Sequence, residues 1–122
     1  MTARTAEIKL TVELDTASLP RSITWQASDA RHDGAKPCQS MMLSVWDAES
    51  KTIAAIDLWT RETTIADLNM HFCQAFHKMA DTYLLATKNE EVAGLIHEFG
   101  NRFASTIGAR SPELGRRGVD EC

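Results

Sequence analysis

Apolar and polar residues alternate with a period of two through the first half of the chain. Ile8, Leu10, Val12 and Leu14 are separated by Lys9, Thr11 and Glu13. Successive side chains of a strand point to opposite faces, so this spacing predicts an amphipathic strand. "DTASLPRS" (residues 15–22) turns the chain, with Pro20 fixing its local backbone. Ile23, Trp25 and Ala27 resume the alternation in a second strand. The polar stretch "SDARHDGAKPCQ" (residues 28–39), with Gly34 and Pro37, reads as the longest internal loop. The next segment, "MMLSVWDAESKTIAAIDLWT" (residues 41–60), predicts a hairpin that carries two apolar rows instead of one. Met41, Leu43 and Val45 form one row and Met42 and Trp46 the other; the returning strand sets Ala54, Ile56 and Leu58 against Ile53, Ala55 and Trp59. A loop at residues 47–50 pairs like rows with like, whereas a slip of one residue mixes them.

The second half changes to the helical period. Ile65, Leu68, Phe72, Phe76, Met79, Tyr83 and Ala86 recur three or four apart, behind Thr64 as N-cap and Asp67 in the first turn. "TKNEE" interrupts the stripe, and Asn89 caps a second helix carrying Val92, Leu95, Ile96, Phe99, Phe103 and Ile107. Gly108 and Pro112 stand in the order expected at a helix end, which predicts one domain over residues 1–108 and a disordered tail over 109–122.

Four strands followed by two helices predict an α+β fold, a four-stranded antiparallel sheet with both helices packed on one face. The helices then cover the side bearing Ile8, Ile23, Leu43 and Ile56. The second face of the hairpin is left uncovered, and contiguous exposed apolar area marks an interaction site. Met42, Trp46, Ile53 and Trp59 are therefore the expected interface residues, and Asp57, on the same face, is expected to be hydrated, hydrogen-bonded or paired, with Arg61 as one candidate. Self-association is the expected use of this face.

Composition narrows the function by exclusion. A formal net charge of −4 and no Lys/Arg stripe argue against a nucleic-acid binder. No apolar run is long enough to span a bilayer and the start carries no signal-peptide core, so a cytoplasmic protein without membrane insertion is expected. Three cysteines in separate contexts (Cys38, Cys73, Cys122) favour free thiols over a disulfide framework. "HFCQAFHKMAD" places Cys73, His77 and Asp81 on one side of a helix, but zinc needs a fuller ligand set and a catalytic thiol needs a base with an orienting group. Packing roles are the expectation there, with His32 and His97 lacking companions of ligand type. Asp47 is the first residue of a turn and not half of a catalytic pair with Asp57. Phosphate-binding, nucleophile-elbow and zincin motifs are missing, so no enzyme, metal or cofactor is expected.

The wording of "MMLSVWDAESKTIAAIDLWT" and "FCQAFHKMADTYLLATKNEEVAGL", with the opening "EIKLTVELDTASLPRSITWQASD", resembles the gliding-motility-associated GldC family over about residues 7–103. The resemblance implies a small soluble cytoplasmic protein of the gliding machinery, without enzymatic activity and without catalytic residues to carry over. The order of four strands and two helices is similar to that of SecB, the tetrameric export chaperone, whose sheets pair with copies of themselves and leave apolar grooves. Two functions follow as expectations: a homo-oligomeric accessory or adaptor whose further partners are unidentified motility or envelope proteins, and a SecB-like chaperone holding unfolded client segments.

Overall fold

The computed structural model describes residues 3–110, apart from the side chains of 109 and 110. Its packing divides after Thr63 into two compact units. Among the described residues the first holds the strands and the second two helices.

In the first unit β1 (Ile8–Leu14), β2 (Pro20–Ala27) and β3 (Lys36–Cys38) form an antiparallel sheet in the order β1-β2-β3. β4 (Ser40–Asp47) and β5 (Thr52–Trp59) form a separate two-stranded ribbon. The expected single four-stranded sheet is thus corrected, among the described residues, to five strands in two sheets. The extra strand lies inside the polar stretch, where three residues pair Ile23 with Cys38, Thr24 with Pro37 and Trp25 with Lys36. Continued one strand further, that register would set Pro20 against Met41, but a proline has no N–H for the ladder. The chain bends at Gln39 instead, and its carbonyl is taken by the other end of the ribbon. Thr60 N–H donates to the Gln39 oxygen (2.9 Å), as does the Thr63 hydroxyl (2.9 Å). Thr60 itself is 5% exposed, its hydroxyl sharing a 3.0 Å hydrogen bond with that of Thr63.

Ile23, the centre of β2, is fully buried between its cross-strand neighbours Val12 and Cys38. The rest of the expected core face is open: Ile8, Leu43 and Ile56 are 78, 39 and 54% exposed. The polar stretch contributes one cover, His32, whose ring meets that of Trp25 edge-on at 4.7 Å.

The second unit is an antiparallel pair, α1 (Ile65–Thr87) and α2 (Glu90–Arg110). Its ends follow from local chemistry. Thr64 Oγ1 accepts from Asp67 N–H at 3.0 Å, a cap contributing about 1 kcal/mol. Lys88 takes the left-handed conformation (φ 62°) and its N–H closes on the Leu84 carbonyl. Asn89 Oδ1 accepts from Val92 N–H at 3.1 Å and starts the second helix. That helix runs past Gly108 to Arg110; the remainder of the expected tail, residues 111–122, lies outside the described residues.

The seam of the pair sits beside the expected stripe, not on it. Cys73 and Ala80 of α1 and Ala93, Gly100 and Ala104 of α2 are buried, while Phe72, Met79, Leu95 and Phe99 are 41–61% exposed. Small residues let two helix backbones approach closely, and the large apolar residues flank that contact. Phe76 packs edge-on against Phe99 (4.9 Å) and Phe103 (5.2 Å).

Candidate functional site: an apolar ribbon

The ribbon is built from its turn outward. Asp47 Oδ2 accepts from the Ser50 amide and the Ser50 hydroxyl, each at 2.7 Å, and the Lys51 N–H returns to the Asp47 carbonyl at 2.9 Å. Lys51 adopts a left-handed φ of 59° to complete the reversal. These Ser50 bonds, led by the one from its hydroxyl, hold the Asp47 carboxyl below the usual carboxylate range. The turn is residues 48–51, one residue later than the sequence pattern suggests, and the Asp47–Thr52 pair closes it. Parity is preserved, so the two faces are those read from the sequence. Leu43 lies opposite Ile56 and Val45 opposite Ala54; on the other face Trp46 meets Ile53 and Met42 meets Asp57.

Both faces are open. Met42, Trp46, Ile53 and Trp59 are 39, 67, 64 and 58% exposed. Asp57 is exposed among them and shares a hollow of about 320 Å³ with Trp59, Leu19 and Pro20. Arg61, a candidate partner for Asp57, reaches Asp15 instead, with Nη2 2.6 Å from Oδ2. Asp15 also accepts from the amides of Ala17 (2.8 Å) and Leu19 (3.0 Å) in the β1–β2 turn. The Leu19 amide, with smaller help from Ala17 and Arg61, holds its carboxyl low. Asp47 and Asp57 are separated by five residue pairs of the ladder, roughly 17 Å, too far to share a proton or a substrate bond.

The helical candidates come together differently from the sequence pattern. His97, expected to lack companions, stacks on His77 across the seam with ring centroids 5.0 Å apart and Nδ1 atoms at 2.7 Å. Its Nε2 is 3.1 Å from Asp81 Oδ1. One tautomer set satisfies this chain: His97 Nε2–H donates to Asp81, and His77 Nδ1–H donates to His97 Nδ1. His77 Nε2 is then a bare nitrogen, buried and without a hydrogen-bond partner. It faces Gly100, where any Cβ would stand 2.8 Å from it. Cys73 does not join the chain. It is disulfide-bonded, against the expectation of a free thiol, and its sulfur lies 3.6 Å from the Gly100 carbonyl oxygen. Cys38 is a free thiol, pushed up by burial. Among the described residues no group of three or more His, Cys, Asp or Glu side chains is placed to hold a metal ion. No helix among them is long and apolar enough to cross a membrane. The signal that finds His97 is reflection through the helical turn: His77 and His97 lie ten residues either side of Thr87, as Cys73 and Gly100 nearly do.

A family model of gliding motility-associated GldC-like proteins matches residues 20–109. The chain belongs to the GldC-like family. Gliding-motility association is what membership carries, and the matched span takes in the ribbon, α1 and α2 up to residue 109. No curated protein and no solved structure matches the chain.

Proposed function

We propose that this GldC-like protein is a non-enzymatic cytoplasmic accessory or adaptor that works through protein–protein contacts. Its contact surface is the ribbon face of Met42, Trp46, Ile53, Asp57 and Trp59, used first for self-association and then for motility or envelope partners. The observation that carries this reading is that face's exposure, with two tryptophans more than half open. Trp and Met are favoured in interface cores, and Trp is over-represented among hot spots. Burying each large side chain contributes about 1.5–3 kcal/mol.

Light scattering of the wild type and of Trp46→Glu and Trp59→Glu tests it. A dimer or larger species is expected at tens of micromolar, dissociating in at least one variant with secondary structure intact. A monomeric wild type ends the self-association reading. A second reading, chaperone-like holding of unfolded segments, is favoured by the opposite face, where Val45 and Ile56 are 56 and 54% exposed. Crosslinking and pull-down from native cells separates the two. An adaptor returns one or two native proteins, and a chaperone returns many unfolded chains.

A further inference from the structure

The edges of the strands differ in a way that bears on how two copies meet. β1 carries Lys9 and Glu13, and β3 carries Lys36 and Pro37, the residue types that keep an exposed edge from recruiting another strand. β4 has neither charge nor proline before Asp47, and β5 has Asp57 within it. Among the described residues the backbone ladder of β4 over residues 42–46 is with β5, and no described strand pairs with its other edge. A two-stranded ribbon is marginal in water and gains independent stability from a third strand or more.

We propose that β4 pairs antiparallel with β4 of a second copy, about a two-fold axis at Ser44, fusing the two ribbons into one four-stranded sheet. The proposal rests on the self-association reading but moves the contact to the ribbon's edge, which brings Met42 beside the partner's Trp46 and leaves the enlarged face open to a further partner. A two-fold axis perpendicular to the sheet keeps each face on its own side, so residues opposite one another share parity and the axis falls on a residue, not between two. Met41 is half-buried whereas residues 42–47 are exposed, and the charge-free part of that window, 42–46, is centred on Ser44. This centre sets Met42 opposite the partner's Trp46 on one face and Leu43 opposite the partner's Val45 on the other. A centre at Leu43 would need the half-buried Met41, and one at Val45 would set Leu43 against the partner's Asp47.

Disulfide trapping in the full chain tests the geometry. In the fused sheet Ser44→Cys meets its own copy at about 5 Å between Cβ atoms. Ala55→Cys, opposite Ser44 on β5, is roughly 14 Å from its copy, three strand spacings away. Mild oxidation is expected to convert most of Ser44→Cys to covalent dimer, and Ala55→Cys no more than wild type. Ser44→Lys, which sets two ammonium groups together, is expected to raise the dimer Kd at least tenfold with helix content unchanged. Equal trapping at Ala55, or an unchanged Kd in Ser44→Lys, overturns the β4 route. Failure to trap Ser44→Cys in a species that light scattering shows to be dimeric does the same, leaving self-association standing. A monomeric wild type overturns both.

Discussion

Two antiparallel hairpins of the protein, the α1–α2 pair and the β4–β5 ribbon, have similar apolar content and opposite construction. The helix pair closes on itself: Ala80 and Ala93 are 0 and 3% exposed, and the His77–His97–Asp81 chain clasps the seam beside them. The β4–β5 ribbon closes only along its backbone ladder and its Asp47 turn, and most of its large side chains are more than half exposed. A helix seam of small residues lets each helix bury the other's inner face, although Phe72, Met79, Leu95 and Phe99 beside it stay 41–61% exposed. A two-stranded ribbon has two faces and two edges, and its own residues cannot cover any of them. What makes the ribbon the candidate interface is its geometry more than its hydrophobicity.

The largest effect expected from this contrast comes from placing the same charge in both hairpins. Ala80→Glu buries an unpaired carboxylate in the seam and is expected to cost about 3 kcal/mol or more. Trp46→Glu, at a site 67% exposed, is expected to change the stability of dilute protein by no more than about 0.5 kcal/mol. Denaturant melts followed by circular dichroism compare them. Equal losses would mean that Trp46 belongs to a core within the single chain.

Gly100 gives a smaller effect with a diagnostic sign. Replacing a mid-helix glycine with alanine normally stabilises by about 1 kcal/mol. Here the new methyl would meet the His77 ring at 2.8–3.2 Å, and that ring is held by His97 and, through it, Asp81. Overpacking of this kind costs about 1–3 kcal/mol, so Gly100→Ala is expected to lose roughly 1 kcal/mol net. In a His77→Ala background the obstruction is gone and the same change is expected to stabilise. A double-mutant cycle reads the reversal; stabilisation by Gly100→Ala in both backgrounds would show that the ring yields freely.

These two sites also mark where the sequence was legible. Local rules read Thr64, Asn89 and the period-two strands directly, because a cap or an alternation is decided by neighbours in the chain. The faces of the ribbon were legible for the same reason, even with the turn displaced by one residue. The seam was not, since Phe72 and Met79 dominate any apolar pattern while Cys73, Ala80 and Gly100 make the contact. β3 escaped because three residues including a proline carry no periodicity. The parting of the sheets at Gln39 depends on Pro20 and on Thr60 and Thr63, far away in the chain, and no local pattern encodes it.

The smallest effect expected is in acid, and it is read at the turns and caps. The helix caps at Thr64 and Asn89 use neutral oxygens and lose nothing to protonation. The strand turns use Asp47 and Asp15, whose carboxyls are held below the usual range by the Ser50 hydroxyl and the Leu19 amide respectively. A group with a lowered folded-state pKa stabilises fully above its unfolded value, near 4 for aspartate, and loses that contribution as pH falls through the folded value. The ribbon and the β1–β2 turn should therefore loosen below about pH 4, and not between pH 7 and 5. All three tryptophans precede Thr63, so their fluorescence reports the strand unit while circular dichroism at the helical minimum reports the other. Asp47→Asn keeps one acceptor and loses the charge; its fluorescence-detected Tm is expected to lie a few degrees below wild type at pH 7, converging with it below pH 4. A gap that persists unchanged into strong acid would show that the turn depends on the shape of Asp47 and not on its ionisation.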